Sequence, residues 1–153
     1  VFVRWLFAWL HLLALGIGLG AVWARARALR GPLDPAGLRR VFHADGWWAA
    51  AGALWIGTGL VRAIGGLEKG TEYYLQNHVF WTKMALLLVL LMLEIRPAVT
   101  LARWRIQLGR GAQPDTSRAE RFARISYLQV VLVLLMVLAA TAMARGFGVV
   151  PRG

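Results

Sequence analysis

Two twenty-residue stretches, 5–24 and 125–144, contain no Asp, Glu, Lys or Arg, and they restrict this chain more than any other feature does. A helix rises ~1.5 Å per residue, so ~20 apolar residues cross the ~30 Å hydrocarbon core of a bilayer. Two further stretches, 47–64 and 79–95, are apolar but interrupted: the first by Arg62, the second by Lys83 and Glu94, with Pro97 closing it. Read together, they predict an all-α, four-transmembrane-helix bundle. It forms a single transmembrane domain over 1–153, with helices about 2–28, 43–64, 77–106 and 119–145. The first run resembles a signal peptide at Ala24-Arg25-Ala26, but it exceeds the usual ~7–15 residues of a signal core, which favours a retained span.

Composition agrees with lipid as the solvent. Apolar residues make up 59% of the chain, above the ~45–50% of an ordinary soluble domain. Eight Trp suit the membrane interface. The absence of Cys excludes disulfides, thiolate metal sites and iron–sulfur clusters. The net charge of +11 does not point to nucleic acid, because the basic residues flank apolar runs. Topology and lipid headgroups account for them.

The basic residues also set an orientation. Arg25, Arg27, Arg30, Arg39 and Arg40 lie between the first and second spans, and seven more Arg lie between the third and fourth. That puts twelve on one side, against Arg4, Arg62, Lys69, Lys83, Arg145 and Arg152 on the other. The positive-inside rule makes the first side cytoplasmic and places both termini on the outer, periplasmic side of a bacterial inner membrane. In the loops, Gly31-Pro32-Leu33-Asp34-Pro35 reads as a turn in which Asp34 caps a short helix over 35–42. Residues 98–108 continue the third helix beyond the membrane, and 109–117 form a flexible link.

Ionisable groups at membrane depth are costly and face the bundle interior. Counted from the outer end, His11 lies roughly 13 Å and Lys83 roughly 9 Å deep, while His78 is only about 1–2 Å in. Lys83, Leu87, Leu90 and Glu94 share one stripe of the third span. Trp48, Trp55 and Arg62 share one on the second, and Gln129, Met136 and Met143 one on the fourth. Small residues, Ala14 and Gly18, lie on the His11 face and leave room for a flat ring. At the cytoplasmic end of the second span, Asp45 suits a helix N-terminus and His43 a capping role. No nucleotide loop, zinc motif or hydrolytic triad is present.

Three readings stay open. His11 with Lys83, His78 or a Met ligates haem b iron, with Arg62 or Arg145 holding propionates. Alternatively, Lys83, Glu94, His11 and Gln129 form a proton path. In the third, His11 and Lys83 are buried groups bonded to neighbours, or Lys83 snorkels outward, in a non-catalytic accessory subunit or one copy of a homo-oligomer, whose Gly and Ala faces pack against a larger membrane complex.

The strings Leu10-His11-Leu12, Phe42-His43-Ala44-Asp45-Gly46-Trp47-Trp48, Gly66 to Tyr74 and His78-Val79-Phe80-Trp81-Thr82-Lys83 resemble a family of small bacterial four-helix membrane proteins classed as a domain of unknown function. The resemblance covers nearly the whole chain and implies the fold. More remotely, Leu10-His11 and Lys83 are similar to positions of HemJ-type protoporphyrinogen oxidases and copper-resistance D-like membrane proteins. That likeness implies a haem or porphyrin pocket at His11 and Lys83. Glu94-Ile95-Arg96-Pro97 stands where those proteins have a His, and Ser126-Tyr127-Leu128-Gln129 where they have Asn-Glu-Pro.

Overall fold

The computed structural model describes residues 1–65 and 71–148. Among these, every regular element is a helix: α1 (Phe2–Arg30), α2 (Pro35–Ile64), the short α3 (Thr71–Leu75), α4 (His78–Gly109) and α5 (Ala119–Ala144). Glu68 and Lys69 of the outer-loop string, and Arg152, lie outside the described residues.

Local chemistry fixes the helix ends. The Asp34 carboxylate accepts a bond from the Gly37 N–H at 2.8 Å, and Pro35 opens α2 where no N–H is needed. From there α2 runs unbroken, so the separate short helix expected over 35–42 is its first two turns. Nothing between Phe42 and Gly46 forces a break, and Leu38, Val41 and Ala44 already sit on its buried face. Asn77 caps α4, its side-chain oxygen accepting from the N–H groups of Val79 (2.9 Å) and Phe80 (3.3 Å).

Pro97, expected to end the third span, lies inside α4 and is fully buried. A mid-helix proline removes one backbone bond, here to the Leu93 carbonyl, at a cost of ~3 kcal/mol. Burial of Leu90, Leu101 and Trp104 on either side carries the helix past it.

α1 packs along both α2 and α5, and α5 along α4, while α2 and α4 scarcely meet. Two apolar cores result. One, toward the α1–α2 turn, contains Leu29, Leu38, Val41, Leu101, Trp104 and Phe122. The other contains Val22, Trp48, Leu90, Leu132, Val133 and Met136. α1, α4 and α5 are long and apolar enough to cross a membrane. Their outward faces, with Leu12, Leu88, Met92, Ile95, Val131 and Leu138 exposed, are the surface that lipid would cover.

Candidate functional site

Between the two apolar cores lies a layer of charge. It is built around Arg25, which is fully buried, contrary to its expected place in a basic loop. The reason is periodicity. His11, Ala14, Gly18, Ala21, Val22 and Arg25 follow one buried stripe of α1, and the helix does not end until Arg30.

A guanidinium has five N–H donors, and each of Arg25's meets an acceptor. Nε donates to Ser126 Oγ at 3.0 Å. Nη1 donates to Asp45 Oδ1 at 2.9 Å and Glu94 Oε1 at 2.7 Å. Nη2 donates to Glu94 Oε2 at 2.9 Å and Gln129 Oε1 at 2.6 Å. Gln129 Nε2 returns a bond to Glu94 Oε2 at 2.7 Å. Arg105 closes the layer from α4, donating to Asp45 Oδ2 at 3.1 Å and the Phe42 carbonyl at 2.7 Å. Two guanidiniums therefore face two carboxylates, and all four long helices contribute.

Glu94 and Gln129, expected to point inward, meet each other here. Asp45 has a different setting from the helix terminus expected for it. α2 begins at Pro35, so Asp45 lies mid-helix and pairs with Arg25. His43 caps nothing; it is exposed and accepts a bond from Trp47 Nε1 at 3.2 Å.

The second polar group lies toward the termini. His11 Nδ1 is 2.9 Å from Thr58 Oγ1, and the imidazole stacks on the Trp55 indole with ring centres 5.1 Å apart. Thr58 Oγ1 is also within donating distance of the Leu54 carbonyl at 2.7 Å and the Trp55 carbonyl at 3.1 Å. Lys83 Nζ lies 5.5 Å from the same indole, a cation–π contact. His11 and Lys83 thus do converge, and what they converge on is Trp55. His78 is exposed at the first position of α4, and Arg145 is exposed just past α5. Arg62 is half-buried in the last turn of α2.

A cavity of about 250 Å³ separates the two polar groups. Ala14 and Gly18 of α1, Trp48 and Trp55 of α2, and Leu87 and Glu94 of α4 wall it. Its rim is formed by exposed residues of the two helices that scarcely touch, Ala49 and Ala53 on α2 and Leu91 and Ala98 on α4. The indole N–H of Trp55 is buried without a hydrogen-bond partner. Leu87 and Leu90, between Lys83 and Glu94 on the same stripe of α4, give the cavity an apolar wall there.

These positions also test the haem that the sequence resemblance implies. His11 packs so closely on α2 that a Cβ on Gly59 would lie 3.1 Å from Cε1, and the imidazole does not line the cavity. Drug-sized ligands occupy pockets of ~300–1,000 Å³, above the 250 Å³ here. As packed, the walls do not fit a porphyrin beside His11.

Spacing could have supplied Arg25, which the charge count assigned to a loop, and Ser126 and Thr58, to which no role was given. Arg25 continues the His11 stripe, Ser126 precedes Gln129 by three positions, and Thr58 follows Trp55 by three.

Apolar helices of membrane-crossing length, closed around a buried ion-pair layer, define a helical membrane protein. The chain belongs to the family described as predicted membrane protein DUF2214, which matches over residues 3–148. No curated protein and no solved structure matches it significantly.

Proposed function

We propose that this protein binds a small, flat, largely apolar molecule bearing a hydrogen-bond acceptor, taken up from the bilayer between α2 and α4. The observation behind this is the cavity: indole walls, small residues on α1, and the partnerless Trp55 N–H. Ligand pockets are typically apolar with a few convergent polar groups, and here Glu94 lines the wall and the Trp55 ring, whose N–H is unpaired, forms part of it. A redox-active ring would make the role electron transfer. A b-type haem or porphyrin is a larger member of the same class and requires Trp55 to leave the cavity wall.

The proposal includes topology. At 30 residues, α2 is ~45 Å long and packs along α1, so it serves as a fourth span. Both termini then face the outer side of a bacterial inner membrane, with the arginine-rich turns inside.

The test is an absorption spectrum, oxidised and reduced, of detergent-purified protein, with mass spectrometry of its organic extract. A ring compound near one per chain is expected, and a Soret band would identify it as haem. Gly52→Leu, whose Cβ meets nothing within 4 Å, should fill the cavity and lose the compound. A colourless protein with an empty extract overturns the proposal. A second reading then stands, that of a non-catalytic accessory subunit in a larger membrane complex. It is favoured by the Arg25 layer, which is complete and formally neutral with no ligand.

A further inference from the structure

A second concavity lies on the other side of α2, at the end of the bundle bearing the α1–α2 turn. It is a wide groove of about 930 Å³ between α1 and α2. Its mouth holds Arg27, Arg39 and Arg40, all exposed, and no acidic residue lines it. None of these three guanidiniums makes an ion pair among the described residues, unlike Arg25, Arg30, Arg105 and Arg124. Trp23 and Trp47 flank the groove. Its floor, from Ile17 through Gly20 and Ala24, is apolar and shallow because the side chains are small.

The dimensions match one class of molecule. From Ile17 to Arg27 is ten residues of helix, ~15 Å, half of a ~30 Å hydrocarbon core and therefore one leaflet deep. Trp is the residue found at headgroup level, and basic pockets between membrane helices bind anionic headgroups. We infer that this groove is a binding site for one anionic glycerophospholipid, its phosphate on Arg27, Arg39 and Arg40 and an acyl chain along Gly20 and Ala24. Charge selects the occupant: three unpaired cations with no carboxylate among them disfavour a zwitterionic lipid. The apolar floor excludes inorganic phosphate as an equivalent ligand, because most of the buried surface would be left uncovered.

The experiment uses the full chain in detergent, stripped of lipid, and titrated separately with phosphatidylglycerol, phosphatidylcholine and inorganic phosphate. Native mass spectrometry reads retained lipid, and thermal unfolding reads stabilisation. One phosphatidylglycerol should be retained per chain, about tenfold or more in preference to phosphatidylcholine. Arg27→Gln/Arg39→Gln/Arg40→Gln should abolish that preference. Arg103→Gln/Arg110→Gln/Arg121→Gln, with the same charge change on exposed arginines outside the groove, should keep it. Gly20→Leu leaves every charge in place and its Cβ meets nothing within 4 Å, so it answers the question even if the arginine variant does not fold. It should cut phosphatidylglycerol retention severalfold. Equal retention of phosphatidylcholine, equal stabilisation by phosphate, equal loss in the control variant, or full retention by Gly20→Leu would each overturn the assignment.

Discussion

The Arg25 guanidinium grips the Glu94 carboxylate with both Nη atoms, at 2.7 and 2.9 Å, joining α1 to α4 across residues that are 69 positions apart. Bidentate geometry of this kind is specific to arginine, and in a buried setting each charge depends on the other.

Removing one partner should therefore cost more than removing both. Glu94→Leu or Arg25→Met alone is expected to destabilise by about 3–5 kcal/mol, since a buried charge loses its partner. The double variant should lose less than the sum of the two singles, because the remaining Asp45–Arg105 pair is self-balanced. Arg25→Lys, with three donors in place of five, should not rescue. Thermal unfolding of the native protein and the four variants in detergent checks this, and strict additivity would show the pair to be uncoupled.

Thr58→Val retains shape while removing the hydroxyl that His11 Nδ1 meets. A loss of about 1–3 kcal/mol is expected, the cost of leaving a buried polar group unmet. His11→Ala in the Thr58→Val background should then cost less than His11→Ala in the native protein. Equal costs would mean that the 2.9 Å contact contributes nothing.

Three glycines should respond differently to Ala. Gly16 has open space at its Cβ, so Gly16→Ala should stabilise by about 0.5–1 kcal/mol through helix propensity. At Gly59 the new methyl would press on His11 Cε1 at 3.1 Å, which should offset that gain or reverse it. At Gly37 a Cβ would overlap the Pro32 carbonyl oxygen, so Gly37→Ala should disrupt the α1–α2 turn and be the most damaging of the three. Melting temperatures in that order are the check.

The chain has no Cys, so single cysteines report topology cleanly. With α2 as a span, Gly31→Cys and Gly111→Cys should react with a membrane-impermeant thiol reagent from the same side, the cytoplasmic one. If α2 lies outside the membrane, the two sites label from opposite sides.

Much of this architecture was legible because depth and periodicity are written directly into apolar runs. The stripe Lys83, Leu87, Leu90 and Glu94 does turn inward, with Leu90 buried, and Gln129 and Met136 on α5 are buried as their spacing implies. The charge layer was only half legible. Counting arginines toward a loop assumes that the helix ends where hydropathy falls, and α1 instead continues to Arg30. Hydropathy likewise put the start of α2 near residue 43, because Arg39 and Arg40 mask the buried Leu38 and Val41 between which they sit. What fills the space beside His11 could not be read at all. Trp55 shares a face with Trp48, but only the packing of α2 against α1 decides which ring the imidazole meets.

The ion-pair layer also bears on how such a protein is made. A lone charge costs an inserting helix roughly 2.5–3.5 kcal/mol at its centre and less toward its end, where Arg25 lies in α1. Arg25 and Asp45 are 20 residues apart, so the first two helices can cancel this penalty as a hairpin while synthesis continues. Glu94 emerges much later and finds its counter-charge already waiting. A hairpin of α1 and α2 alone would leave four of the five Arg25 donors unmet, two awaiting Glu94 of α4 and two awaiting Ser126 and Gln129 of α5, so the layer closes only when the last helix docks.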